Sequence, residues 1–137
     1  MAAMADARAQ GAGGGHVLVV EDSAAMRAFV TAALEDAGLT VTSAASGFEA
    51  LKVLPRASYD LVVTDINMPD INGLELVRFV RESERHRSTP LILISTDARE
   101  ADRERGMRLG ADAYLIKPFE PEELVSTARR VMTARAR

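Results

Sequence analysis

Five side chains stand out by chemical type and by where they fall: Glu21, Asp22, Asp65, Ser95 and Lys117. Each lies at the end of a short apolar run, at 17–20 for the paired acids, 61–63 for Asp65, 91–94 for Ser95 and 114–116 for Lys117. If those runs are strands of one sheet, three carboxylates, a hydroxyl and an ammonium gather at one rim. Like charges about 4 Å apart at an effective dielectric near 20 repel by roughly 4 kcal/mol per pair, so clustered carboxylates either take up protons or hold a cation. All the donors are oxygen, which selects a hard ion that keeps some water, Mg²⁺ rather than zinc or copper. Such an ion and Lys117 together balance the three acids. With the Ser95 hydroxyl they form a receptor for a dianionic phosphoryl group, toward which the Asp65 carboxylate is a competent nucleophile. Phosphoryl transfer asks for in-line positioning and charge stabilisation, and little else, from the protein.

The elements that must bring these residues together can be read from periodicity. Short continuous apolar runs alternate with longer stretches of helical spacing, the pattern of strands buried on both faces joined by crossover helices. Val17 to Val20 leads to a helix capped near Ser23, with Met26, Phe29, Val30, Ala33 and Leu34 on one stripe and its end at Gly38. Residues 39–44 alternate apolar with Thr and Ser as an edge-type strand. Ser46 to Glu49 reads as a capping box opening a short helix that stops at Pro55. The strand at 61–63 runs into Asp65, and a Pro/Asp/Asn/Gly loop over 68–73 precedes an amphipathic helix through Leu74, Val77, Phe79 and Val80. After the run at 91–94, Asp97 to Glu100 reads as another capping box, opening a polar helix that closes near Gly110. The last strand, 114–116, is followed by a helix that starts at Pro121 and carries Leu124, Val125, Ala128 and Val131. Strict strand–helix alternation with right-handed crossovers gives an open parallel α/β sheet covered on both faces, with ligands beyond the carboxyl ends of its strands.

Composition narrows the possibilities from the other side. The 137 residues, 47% hydrophobic and 27% charged, suit one globular domain. Cysteine is absent and the only histidines are His16 and His86, which excludes disulfides, thiol nucleophiles and Cys- or multi-His metal centres. A cysteine-free chain fits a reducing cytoplasm. A formal net charge of −3 gives no overall attraction to nucleic acid or anionic lipid, and no apolar run is long enough to span a membrane. Residues 1–15 are Ala- and Gly-rich and read as a flexible leader; 16–133 form the domain and 134–137 a short tail. The arginines near the end, among them Arg129, Arg130 and Arg135, suit the solvated face and C-terminal turn of a last helix.

From about residue 16 to 132 the chain resembles the receiver domain of two-component response regulators. Glu21-Asp22-Ser23 looks like that family's paired acids, and Asp65-Ile66-Asn67-Met68-Pro69 with Gly73 like its phosphoacceptor loop. Ser95-Thr96 and Tyr114 to Phe119 complete the set. The resemblance implies a flavodoxin-like (βα)₅ three-layer sandwich with strand order 2-1-3-4-5. It also implies that Asp65 is phosphorylated from a histidine kinase or phosphotransfer protein. Glu21, Asp22 and Asp65 would bind Mg²⁺, directly or through water, together with the backbone carbonyl of Asn67. Lys117 would pair with the phosphoryl oxygens, the Ser95 hydroxyl would contact them after transfer, and Tyr114 would turn inward. That change would alter the surface of the fourth helix, fifth strand and fifth helix, where a downstream protein docks. Asn67, Thr96 and Asp97 stand where the family tunes hydrolysis: the bulk of Thr96 would narrow access to the phosphoryl group, while the polar groups of Asn67 and Asp97, able to orient an attacking water, lead us to expect a short-lived one.

Three functions compete. The first is a stand-alone receiver, a switch rather than an enzyme, with self-phosphorylation from phosphodonors and autodephosphorylation; a phosphorelay shuttle is its variant. The second is a metal-dependent phosphohydrolase of the haloacid-dehalogenase type, which would need a second Asp where Asn67 stands. The third is a degenerate receiver that docks constitutively, disfavoured because the acid, hydroxyl and lysine set is whole.

Overall fold

Five runs of mostly apolar, β-branched sequence form five strands: β1 (His16–Val20), β2 (Thr40–Ala44), β3 (Leu61–Asp65), β4 (Leu91–Ser95) and β5 (Ala113–Ile116). Between and after them lie α1 (Ala24–Asp36), α2 (Gly47–Val53) with a 3₁₀ turn at Leu54–Arg56, α3 (Gly73–Glu82), α4 (Glu100–Leu109) and α5 (Pro121–Ala136). The computed structural model describes residues 14–96 and 99–136. Most of the expected leader, together with Asp97 and Ala98, lies outside the described residues.

All strand pairs are parallel, and their order is β2-β1-β3-β4-β5, as the resemblance implied. The central strands are buried on both faces, and β2, at the edge, exposes Thr40 and Ser43 while Val41 and Thr42 are half-buried. Alternate residues of the strands feed two cores. Val17, Val19, Val63, Ile92 and Ile94 pack with α1 and α5, whereas Leu18, Val20, Val62, Leu91 and Leu93 pack with α2, α3 and α4. Each such Val, Ile or Leu contributes roughly 1.5–3 kcal/mol on leaving water.

The helix ends explain how the rims are shaped. Ser23 caps α1 by accepting from the Met26 amide at 3.2 Å. At α2 the expected box is half formed: Ser46 Oγ accepts from the Glu49 amide, but Glu49 Oε1 reaches the Ala45 amide rather than that of Ser46. The reciprocal box belongs to α3, where Asn72 Oδ1 accepts from Leu74 and Glu75 Oε1 from the Asn72 amide. Arg99 precedes α4 with no side-chain cap, and the box expected there rests on Asp97, which lies outside the described residues. Gly110 ends α4 at φ 120°, a backbone shape that favours glycine. Phe79 and Phe29, expected on buried stripes, are 42% and 36% exposed, and Phe29 leans on Phe119 with ring centres 5.9 Å apart. The segment expected as a tail from 134 is helical to Ala136, and within it Arg135 Nε donates to Asp112 Oδ1 at 2.9 Å.

Two features set the distance between layers. A Cβ at Gly106 would stand 2.5 Å from Leu93 Cδ1, so α4 rests on the sheet at a bare backbone. At the amino ends of β4 and β5, the Arg81 guanidinium donates to the carbonyls of Gly110 at 2.9 Å and Thr89 at 2.7 Å and to Asp112 Oδ2 at 2.9 Å. The Leu91 amide donates to the same Asp112 oxygen.

Candidate functional site

The opposite rim, at the carboxyl ends of the strands, holds the residues singled out from the sequence. Glu21 and Asp22 follow β1, Asp65 ends β3, Ser95 ends β4 and Lys117 follows β5. Because β1 and β3 are neighbours, one carboxylate oxygen each from Glu21, Asp22 and Asp65 come within 4.8 Å of one another. Asp65 pairs with Ile94 across β3 and β4, so Ser95 lies one residue beyond it on the adjacent strand.

Glu21 is the most constrained member. It is 1% exposed and both carboxylate oxygens are engaged: Oε1 accepts from Lys117 Nζ at 2.8 Å and Oε2 from the Ser23 amide at 2.9 Å. Its backbone carbonyl accepts from Arg27 Nη1 at 2.8 Å, a contact the sequence reading did not anticipate. Lys117 also stands 3.3 Å from Asp65 Oδ1, so one ammonium serves two carboxylates. Asp22 is exposed at the mouth of the cluster.

The electrostatics follow from that count. Burial first, then the charge of Glu21, pushes the Asp65 carboxyl above its ordinary value, with Asp22 adding to the rise and Lys117 opposing it. Burial works against the Lys117 ammonium, but its hydrogen bond to Glu21 and the charges of Asp65 and Glu21 outweigh burial and hold it above its ordinary value. Three acids against one lysine leave a site short of positive charge. Its donors are all oxygen, two of the acids are buried, and Asp22 opens to water, a set that fits a small hard cation.

The remaining expected residues are arranged around this centre. Asn67 is exposed in the loop after β3. That loop is held at its ends, with the Ile66 amide donating to Ile94 O and the Gly73 amide to Ile66 O. A Cβ at Gly73 would stand 2.2 Å from the Asp65 carbonyl oxygen, so α3 starts in direct contact with the backbone of Asp65. Ser95 is buried, Thr96 is exposed, and the Lys117 amide donates to Ser95 O at 2.7 Å. Tyr114 is half-buried in β5 against the core on the α2–α3–α4 side. Asp97 lies outside the described residues. The peptide bond between Lys117 and Pro118 is cis, which the sequence did not foretell.

The sequence profile of the response regulator receiver domain matches residues 17–129. The chemotaxis response regulator CheY4 of Vibrio cholerae is 39% identical, with a TM-score of 0.80 over 85% of this chain and 97% of that one. The receiver domain of the sensor histidine kinase PA1611 from Pseudomonas aeruginosa, with a magnesium ion coordinated in its active-site cleft, is 32% identical, with a TM-score of 0.81 over 88% of this chain and 98% of that one. A probable transcriptional regulatory protein of Picosynechococcus is 39% identical over 124 residues, 85% of this chain and 49% of the relative. ResD of Bacillus subtilis is 34% identical over 85% of this chain and 47% of its own length, so the chain spans about half of such curated relatives. No described helix is long and apolar enough to cross a membrane.

Proposed function

Because this chain belongs to the response regulator receiver family, we propose that it takes a phosphoryl group from a histidine kinase or phosphotransfer protein onto Asp65 and signals through a change in its partner-binding surface. The observation that carries the reading is the cluster itself: three carboxylates within 4.8 Å, two of them sharing one lysine. Glu21, Asp22 and Asp65, with the Asn67 carbonyl, are the residues that would hold Mg²⁺. The ion would supply charge neutralisation for the incoming phosphoryl oxygens.

The protein's own groups do the rest. A carboxylate oxygen of Asp65 forms the new P–O bond as the P–N bond of the donor's phosphohistidine breaks, and the departing imidazole takes up a proton from solvent. The raised pKa of Asp65 reflects how poorly the ionised carboxylate is compensated before transfer. Lys117, already 3.3 Å from Asp65 Oδ1, is within reach of the phosphoryl oxygens. Ser95 at the end of the adjacent strand and Tyr114 on β5 form the switch, reshaping the α4–β5–α5 face for a downstream protein. A ligand or modification can shift such an equilibrium only by its differential interaction with two states, and the Ser95 contact provides that difference. Asn67, Thr96 and Asp97 set the lifetime of the acyl phosphate, which we expect to be short, and small phosphodonors should also load the site. A cytoplasmic setting, supported by the absence of cysteine, belongs to the same reading.

The test is intact-mass spectrometry after incubation with phosphoramidate and Mg²⁺. One phosphoryl group should appear, mapped to Asp65, and Asp65→Asn should abolish it. Incorporation undiminished in Asp65→Asn would overturn the assignment.

A further inference from the structure

We propose that Asp70 is a positioning residue for the metal-binding loop, its carboxylate bridging to the amides that open α2 and so fixing the loop that presents the Asn67 carbonyl. This rests on the reading of Glu21, Asp22, Asp65 and Asn67 as a Mg²⁺ site. The segment between Ile66 and Gly73 leaves the sheet and returns, closed at its base by the Gly73 amide bonding Ile66 O at 2.8 Å. Within it Met68 is buried in the core while Asn67, Pro69 and Asp70 are exposed.

Asp70 ties the exposed part to a separate element. Oδ1 accepts from the Gly47 amide at 3.2 Å and Oδ2 from the Phe48 amide at 2.9 Å. Next to it, Ile71 lies so close to α2 that a Cβ at Gly47 would stand 2.6 Å from Ile71 Cβ. The helix receiving this tether is itself fixed, with Ala50 fully buried. The bond is made by the ionised carboxylate: the Phe48 amide foremost, with those of Ile71 and Gly47, holds the Asp70 carboxyl below its ordinary value.

A backbone carbonyl has no rotamers with which to correct its aim, so the loop's shape alone decides where the Asn67 oxygen sits. Mg²⁺ demands near-octahedral geometry, which makes its affinity sensitive to such placement. Partners that orient a ligand from outside the coordination sphere are commonly worth 10- to 100-fold, by order of magnitude, in metal affinity.

Calorimetric titration of Mg²⁺ into the full chain, with no phosphodonor present, tests this. Asp70→Ala should weaken binding about tenfold, and Asp70→Asn, which keeps one carbonyl acceptor, should lie between. Ser46→Ala removes the other cap of α2, the bond from Glu49 to Ser46 Oγ, without touching the loop, and should bind as wild type does. With a small phosphodonor, Asp70→Ala should need more Mg²⁺ for half-maximal phosphorylation yet reach the wild-type rate at saturation. Asp70→Ala binding as tightly as wild type, or Ser46→Ala weakening binding as much as Asp70→Ala, would overturn the proposal. Failure of the wild-type chain to bind Mg²⁺ would instead remove the site reading on which it rests.

Discussion

At the amino ends of β4 and β5, the Asp112 carboxylate is shared among Arg81, Arg135 and the Leu91 amide, with all contacts at 2.9 Å. At the carboxyl ends of β1 and β3, Glu21 and Asp65 share Lys117 while Asp22 faces water. The same sheet therefore carries one rim with an acid between two cations and another with three acids around one. Burial first, then the nearby Arg135, pushes the Arg81 guanidinium below its ordinary value and Asp112 offsets them only in part, but both Asp112 oxygens are held by cations, so at the lower rim the acid is fully partnered. At the upper rim the acids are not, as the raised Asp65 carboxyl records. A saturated network fixes geometry; an undersaturated one keeps affinity in reserve for something that is not yet bound.

Four substitutions or additions can break or sharpen this contrast. Asp112→Ala leaves Arg81 without its carboxylate counterion and the Leu91 amide without its acceptor and should cost about 3 kcal/mol, measured by urea unfolding. A loss within error would mean the lower rim is not a structural clamp. Lys117→Ala strands buried Glu21 without its cation and should cost about 2 kcal/mol in the presence of a chelator. Mg²⁺ at ten times its dissociation constant should raise wild-type stability by about 1.4 kcal/mol, seen as a higher Tm, while leaving the Asp112→Ala deficit unchanged. Asp65→Asn should have the smallest effect, with the opposite sign. A carboxyl whose folded pKa is raised supports the fold below its unfolded value and loses that support as pH rises through the folded one. Ionised Asp65 is therefore a burden at neutral pH, and its amide should be about 1 kcal/mol more stable there. The gain should fade as pH falls toward the range where Asp65 is protonated. A stability loss at pH 7 would contradict the account of the upper rim.

What could be read from the sequence was what local pattern encodes. Continuous apolar runs marked the strands, and Gly38, Gly110 and Pro121 punctuated the helices, so the parallel sheet and the rim on which Glu21, Asp65, Ser95 and Lys117 meet were foreseeable. The lower clamp was not, because Arg81, Thr89, Gly110, Asp112 and Arg135 are scattered along the chain and none looks unusual beside its neighbours. The Asn72–Glu75 box carries the same spacing as the box expected at Ser46 and Glu49, but it was hidden in a loop where Asp70 and Asn72 are both plausible caps. Asp70 turned out to cap a different helix altogether. Arg27 lacked any local signal, since its partner is a carbonyl oxygen.

The bare backbone of Gly106 over Leu93 has a consequence for inheritance. A methyl group at 106 forces the buried leucine beneath it to shift its Cδ1, so the two codons are coupled though they lie on different elements. A population carrying alanine at 106 should recover by second-site reversion at 93, toward valine or alanine, far more readily than by changes elsewhere on the helix.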